Sequence, residues 1–164
     1  MKYNTYYYYS PVGVLEYRTK DDGLISLDIA QCKNFKNDKE TEFSKSVKIQ
    51  LDEYFSHNRK EFDLKLNPFG TDFQKKVWLQ LLKIPYGKTA TYGQIAKNLG
   101  NSKAFRAVGS ACNKNPLLII IPCHRIISQN NKLTGYRAGL NIKKYLLDFE
   151  HSEPISDFQA AYEG

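Results

Sequence analysis

Cys123 stands inside Pro122-Cys123-His124-Arg125, directly after the apolar run Leu117-Leu118-Ile119-Ile120-Ile121. A thiol attacks as its thiolate, and nearby positive charge favours that form. His124 and Arg125 follow at once, and no Asp or Glu occurs from Phe73 to Leu147. These surroundings are expected to lower the Cys123 pKa and make it a nucleophile, whereas a lone cysteine behind an apolar run otherwise reads as inert core. In an extended segment residues 123 and 124 point to opposite sides. A direct Cys–His contact is then disfavoured; a bridging water connects them instead, with Glu150 as a plausible orienting carboxylate. The cysteine count of three is odd. There is no C-x-x-C and no Cys/His set at zinc spacing, so a reducing compartment is expected and no metal or cofactor. Cys112 is read as structural.

The chain of 164 residues carries a net charge of +7, unevenly spread. Residues 73–147 hold 13 of its 24 Lys and Arg, and all 17 acids lie outside them. Charge runs are usually solvated surface, but an acid-free stretch this long points to a polyanionic partner, of which nucleic acid is the commonest. No apolar run approaches the roughly 18 residues of a membrane span. The N-terminus, Met1-Lys2-Tyr3-Asn4, lacks the apolar stretch of a signal peptide. A cytoplasmic protein without membrane contact is expected.

The elements that must position Cys123 fall into two parts, 1–66 and 67–150, followed by a tail, 151–164. Tyr3–Tyr9, Val12–Tyr17 and Leu24–Ala30 read as strands of an antiparallel meander, with Asp21-Asp22-Gly23 as a turn. Phe43, Val47, Leu51 and Phe55 recur at helical spacing over 42–55. Phe62–Leu66 alternates like a half-buried strand. Beyond the break at Asn67-Pro68-Phe69-Gly70, Thr71 with Gln74 and Thr91 with Gln94 form capping boxes for two helices. Gly100 fits the C-terminal cap of the second, and Asn101-Ser102 would cap a third over 103–113. These last two helices make a helix-turn-helix pattern. The second is lined with Ala104, Ala107, Gly109, Ser110 and Ala111, and Arg106 is its one arginine. Small residues permit close approach, either to a neighbouring helix or to the DNA minor groove, where sequence readout is weak. Ile126–Ser128 reads as a strand and 140–149 as a final helix.

The Pro122–Arg125 motif resembles the active-site signature of the O6-alkylguanine-DNA alkyltransferases. The resemblance extends in order and spacing over about Pro68–Glu150, through Val77-Trp78, Ile84-Pro85-Tyr86-Gly87, Thr91-Tyr92-Gly93-Gln94-Ile95-Ala96, Arg106-Ala107-Val108-Gly109, Asn115-Pro116, Gly135-Tyr136 and Leu146–Glu150. It implies an α+β protein. A small N-terminal α/β, ribonuclease H-like domain would accompany a C-terminal winged-helix-like helix-turn-helix domain carrying the active site. It also implies roles. Cys123 would accept the alkyl group, His124 would be the base through a water, and Glu150 would stand behind it. Tyr92 would contact the guanine and the turning phosphate, and Asn115 would brace the active-site turn. Arg106 would fill the gap left by the flipped base. Tyr136 and Arg137 would form a lid, the backbone at Cys123 and Ile126 would meet the exocyclic amine, and Lys143 would assist. Lys103, Ala104, Ala107, Ser110 and Arg125 complete the candidate DNA-binding set. Arg137 stands where the best-known members carry Ser, and Ala138 where they often carry Gly; both differences bear on tolerance for bulky adducts.

The expected activity is therefore single-turnover transfer of an alkyl group from O6-alkylguanine in duplex DNA, or from O4-alkylthymine, by a monomer. The product thioether offers water no good leaving group. The rival readings are a lesion-sensing binder, which Cys123 disfavours, a helix-turn-helix regulator, which the scarcity of base-reading side chains disfavours, and a cysteine hydrolase using His57 or His151.

Overall fold

Period-two alternation in the tyrosine-rich N-terminus builds the first layer. In the computed structural model, which describes residues 2–152, Tyr6 and Tyr8 point inward while Tyr9 faces solvent. The expected tail lies, from residue 153, outside the described residues. Strands β1 (Asn4–Ser10), β2 (Gly13–Lys20) and β3 (Gly23–Ile29) pair antiparallel in that order. The β2–β3 turn has Asp21 and Asp22 at φ 50° and 55°. Two left-handed residues make the turn whose twist matches the strands, and Asp tolerates that region better than most. Gly23 is not at the apex; it pairs with Lys20 as the first residue of β3.

Helix α1 (Glu42–Phe55) opens on a capping box of Thr41 and Ser44 and buries Val47, Leu51 and Tyr54. It lies over the sheet, where Tyr17 donates to the Ser44 carbonyl (3.0 Å) and Tyr8 to Asp52 (2.6 Å). The expected strand at Phe62–Leu66 does not form. Its side chains do alternate, but only Leu66 makes a bridge, to Leu24. The reason is competition for one sheet edge: Leu27 on the same strand bridges Leu117. Two segments share β3, so neither becomes a full fourth strand. The second of them leads directly into Cys123.

The rest is helical: α2 (Asp72–Leu81), α3 (Tyr92–Asn98), α4 (Phe105–Asn113) and α5 (Leu140–His151), with a two-residue parallel pair, β4 (Ala90–Thr91) and β5 (Ile126–Ile127). The capping boxes at Thr71/Gln74 and Thr91/Gln94 are both formed. Gly100, at φ 84°, ends α3, its amide bonding the Lys97 carbonyl and that of Asn101 the Ala96 carbonyl. This is the double-bonded glycine cap, open to few other residues. α4 begins two residues later than expected, with Ala104 at its N-cap and no side-chain cap. Asn101 instead accepts from the Lys103 amide and closes the preceding turn (3.1 Å). Trp78 of α2 locks onto α4 by donating to the Ala111 carbonyl (2.9 Å). No helix among the described residues is long and apolar enough to cross a membrane.

Candidate active site

The run Leu117–Ile121 is wholly buried, as its composition demands, but it is not extended. Ile119 takes φ 73°, an uncommon value for a β-branched residue. Cys123–Arg125 form a single 3-10 turn. The extended geometry assumed for residues 123 and 124 is thus replaced by a tight turn, closed by the bond from the Arg125 amide to the Pro122 carbonyl (3.0 Å). Asn115 braces that turn. Its side-chain amide donates to the Ile121 carbonyl (2.8 Å) and to Cys123 Sγ (3.1 Å), while its oxygen accepts from the Leu117 amide (2.9 Å). β5 follows the turn and pairs with β4, which opens α3, so the turn and the helix-turn-helix are held in one register.

Behind Cys123 lies a buried polar cluster. His124 Nε2 meets Glu150 Oε2 at 2.7 Å, and Arg125 donates to both oxygens of Glu150, at 2.7 and 3.0 Å. Tyr54 of α1 donates to the same carboxylate at 2.7 Å. Burial alone would raise Glu150, but His124 and Arg125 hold it well below the usual carboxylate range. Burial lowers His124 below its ordinary value despite Glu150, so the ring is neutral near pH 7. With Nε2–H donating to the carboxylate, Nδ1 carries the lone pair, and Nδ1 is buried without a protein partner.

Burial also pushes the Cys123 thiol above its ordinary value, against the Asn115 amide and the charges of Lys143 and Arg137. The expectation of a lowered thiol is therefore reversed: desolvation outweighs the positive surroundings. Cys112, pushed up to about 12 by burial, is a plain thiol within the core. Arg125 is corrected as well. It was expected among the DNA-binding side chains, but it is buried, held by Glu150 and by the Ile84 carbonyl (2.7 Å).

Cys123 opens on a cavity of about 100 Å³, lined by Tyr92, Cys112, Gly135, Tyr136 and Arg137 among others. Burial raises Tyr92 and Tyr136, which keeps both phenols protonated. Lys143 does not line the cavity. Its fully buried ammonium holds the lid segment through the Thr134 carbonyl (2.7 Å). Ile126 does not line it either; its amide bonds the Cys123 carbonyl and its strand pairs with β4. A wider groove of about 570 Å³ shares Tyr92 and continues past Lys97, Ser102 and Phe105. On α4, Val108 and Ala111 face the core while Arg106, Ala107 and Ser110 face solvent; in the turn before it Lys103 is exposed and Ala104 half-buried. Its small residues therefore leave an open face in addition to packing inward. Phe105, exposed beside Arg106, was not singled out from sequence. Neither was Tyr54, for no local motif marks a residue that meets the site from the first domain. His57 stacks on Phe149 at 4.0 Å and His151 is exposed at the end of α5.

Residues 1–68 match the family model described as 6-O-methylguanine DNA methyltransferase, ribonuclease-like domain, and residues 72–152 the one described as its DNA binding domain. A methylated-DNA–protein-cysteine methyltransferase of Methanosarcina acetivorans is 59% identical over 68% of this chain and 71% of its own. One from Methanosarcina barkeri is 46% identical over 87% and 94%. The solved structure of Mycobacterium tuberculosis OGT in complex with DNA superposes with a TM-score of 0.84 at 39% identity, covering 94% of this chain and 97% of that one.

Proposed function

The chain belongs to the methylated-DNA–protein-cysteine methyltransferase family, and from that premise we propose that it repairs duplex DNA by moving the alkyl group of O6-alkylguanine onto Cys123, once per molecule. O4-alkylthymine is a second substrate of the same chemistry. The observation that carries this reading is Cys123 lining a small cavity and followed in the same turn by His124, whose buried Nδ1 has no protein partner and is free to accept.

The alkyl carbon sits inside a stacked duplex, so the base rotates out into the cavity. α4 enters the minor groove on its open face of Ala107 and Ser110, and Arg106 fills the vacated stack. The Cys123 proton passes through a bridging water to His124 Nδ1, and Glu150 stabilises the resulting imidazolium. Sγ attacks the alkyl carbon as the carbon–oxygen bond breaks, leaving the electron pair on the guanine oxygen. Protonated Tyr92 hydrogen-bonds the departing base, and guanine regains a proton to match the one the thiol lost. Lys143 fixes the lid segment at the Thr134 carbonyl. The three free cysteines fit the cytoplasm.

The test is intact mass after incubation with a duplex carrying one O6-methylguanine. One added methyl per molecule, mapped to Cys123 and missing in Cys123→Ala, is the expected result. Lesion-selective binding with no change in mass would replace the enzyme with a lesion-sensing binder.

A further inference from the structure

Arg137 on the lid reaches two places at once. One guanidinium nitrogen pairs with Asp28 near the end of β3, and the other donates to the Asn115 carbonyl at 2.5 Å. The pair spans 109 residues of sequence and joins the lid over Cys123 to the N-terminal sheet. Lys114 lines the same seam as Asp28 and Arg137.

The cavity explains why this contact bears on specificity. Its volume of about 100 Å³ is room for roughly seven to ten waters, and the lid residues Tyr136 and Arg137 form one wall of it. An adduct that outgrows this space has to push that wall outward. A methyl adds one carbon, and the base seats with Arg137 on Asp28. A benzyl group adds seven carbons and holds the lid away, so the pair stays broken in the transition state. Only contacts that differ between the two transition states discriminate between them.

We propose that the Arg137–Asp28 pair is a latch that selects for small adducts. This rests on the alkyl-transfer reading above. Asp28 is the residue to test, because it neither lines the cavity nor touches Sγ, whereas the charge of Arg137 acts on the thiol.

The measurement is the single-turnover rate with O6-methylguanine and with O6-benzylguanine in one duplex sequence, taken as a ratio so that DNA affinity cancels. Asp28→Asn should leave the methyl rate unchanged within about twofold and raise the benzyl-to-methyl ratio about three- to fivefold, the scale of a part-exposed ion pair. Hydrogen exchange of the amides at 133–138 should quicken in the same variant. A ratio unchanged in Asp28→Asn, with wild type transferring methyl normally, would overturn the latch. Absence of methyl transfer by wild type would instead overturn the reading beneath it.

Discussion

Glu150 is the residue on which most of the buried polar chemistry converges, accepting from Tyr54, His124 and Arg125. Removing its charge strands Arg125 inside the protein. Breaking a buried pair in this way costs about 3–5 kcal/mol, and each kcal/mol shifts the melting temperature of a domain this size by roughly 2–4 °C. Glu150→Gln should therefore melt about 6–20 °C below wild type in a calorimetric scan and transfer alkyl groups at least tenfold more slowly. A melting point unchanged within 2 °C would show that the cluster is not closed as described. Cys123 and His124 were legible in the sequence because they are contiguous and stand in an acid-free context. The state of the thiol was not, since charge can be counted along a chain but desolvation depends on what covers the residue. Arg125 misled for the same reason: a basic residue in a basic stretch gave no sign that Glu150, 25 positions on, would claim it.

At the scale of elements, local chemistry was the reliable guide. Thr71, Thr91 and Gly100 act where their side chains or backbone freedom imply, because caps are satisfied within three or four residues. One expectation failed where distant segments compete: the 62–66 strand lost its sheet edge to Leu117. The expected Asn101-Ser102 cap failed nearer by, because Asn101 closes the turn at Lys103 and the helix starts at Phe105. α4 carries the sharper functional prediction. Its exposed Ala107 sits where close approach to a polyanion requires a small, uncharged side chain. Ala107→Glu should weaken duplex binding at least tenfold in fluorescence anisotropy while changing stability by less than about 0.5 kcal/mol, as surface substitutions usually do. Unaltered affinity would place the DNA on another face.

Across the whole molecule, His124 and Glu150 both bind protons less readily folded than unfolded. A group with a depressed folded pKa contributes stability above its unfolded value and loses it as pH falls. Stability should hold from pH 8 to 7, begin to fall below about 6.5 as unfolded histidine takes up protons, and fall faster below about 4.5. Thermal melts across that range test this, and a flat profile from pH 6.5 to 5 would contradict the neutral, buried imidazole. Two parts were expected from composition and from the Asn67–Gly70 break, and two family models match the chain in that order. The seam between them was not readable, because Tyr54 and Asp28 reach residues 96 and 109 positions away. That seam changes how the first part should be regarded. Tyr54 on α1 shares a carboxylate with the histidine behind the thiol, so damage to the supporting layer is felt at the point of reaction. In genetic terms the two halves form one complementation unit. Loss of repair through α1 should be suppressible by second-site changes in α5, and separately expressed halves should not rescue each other unless they rebuild that shared hydrogen bond.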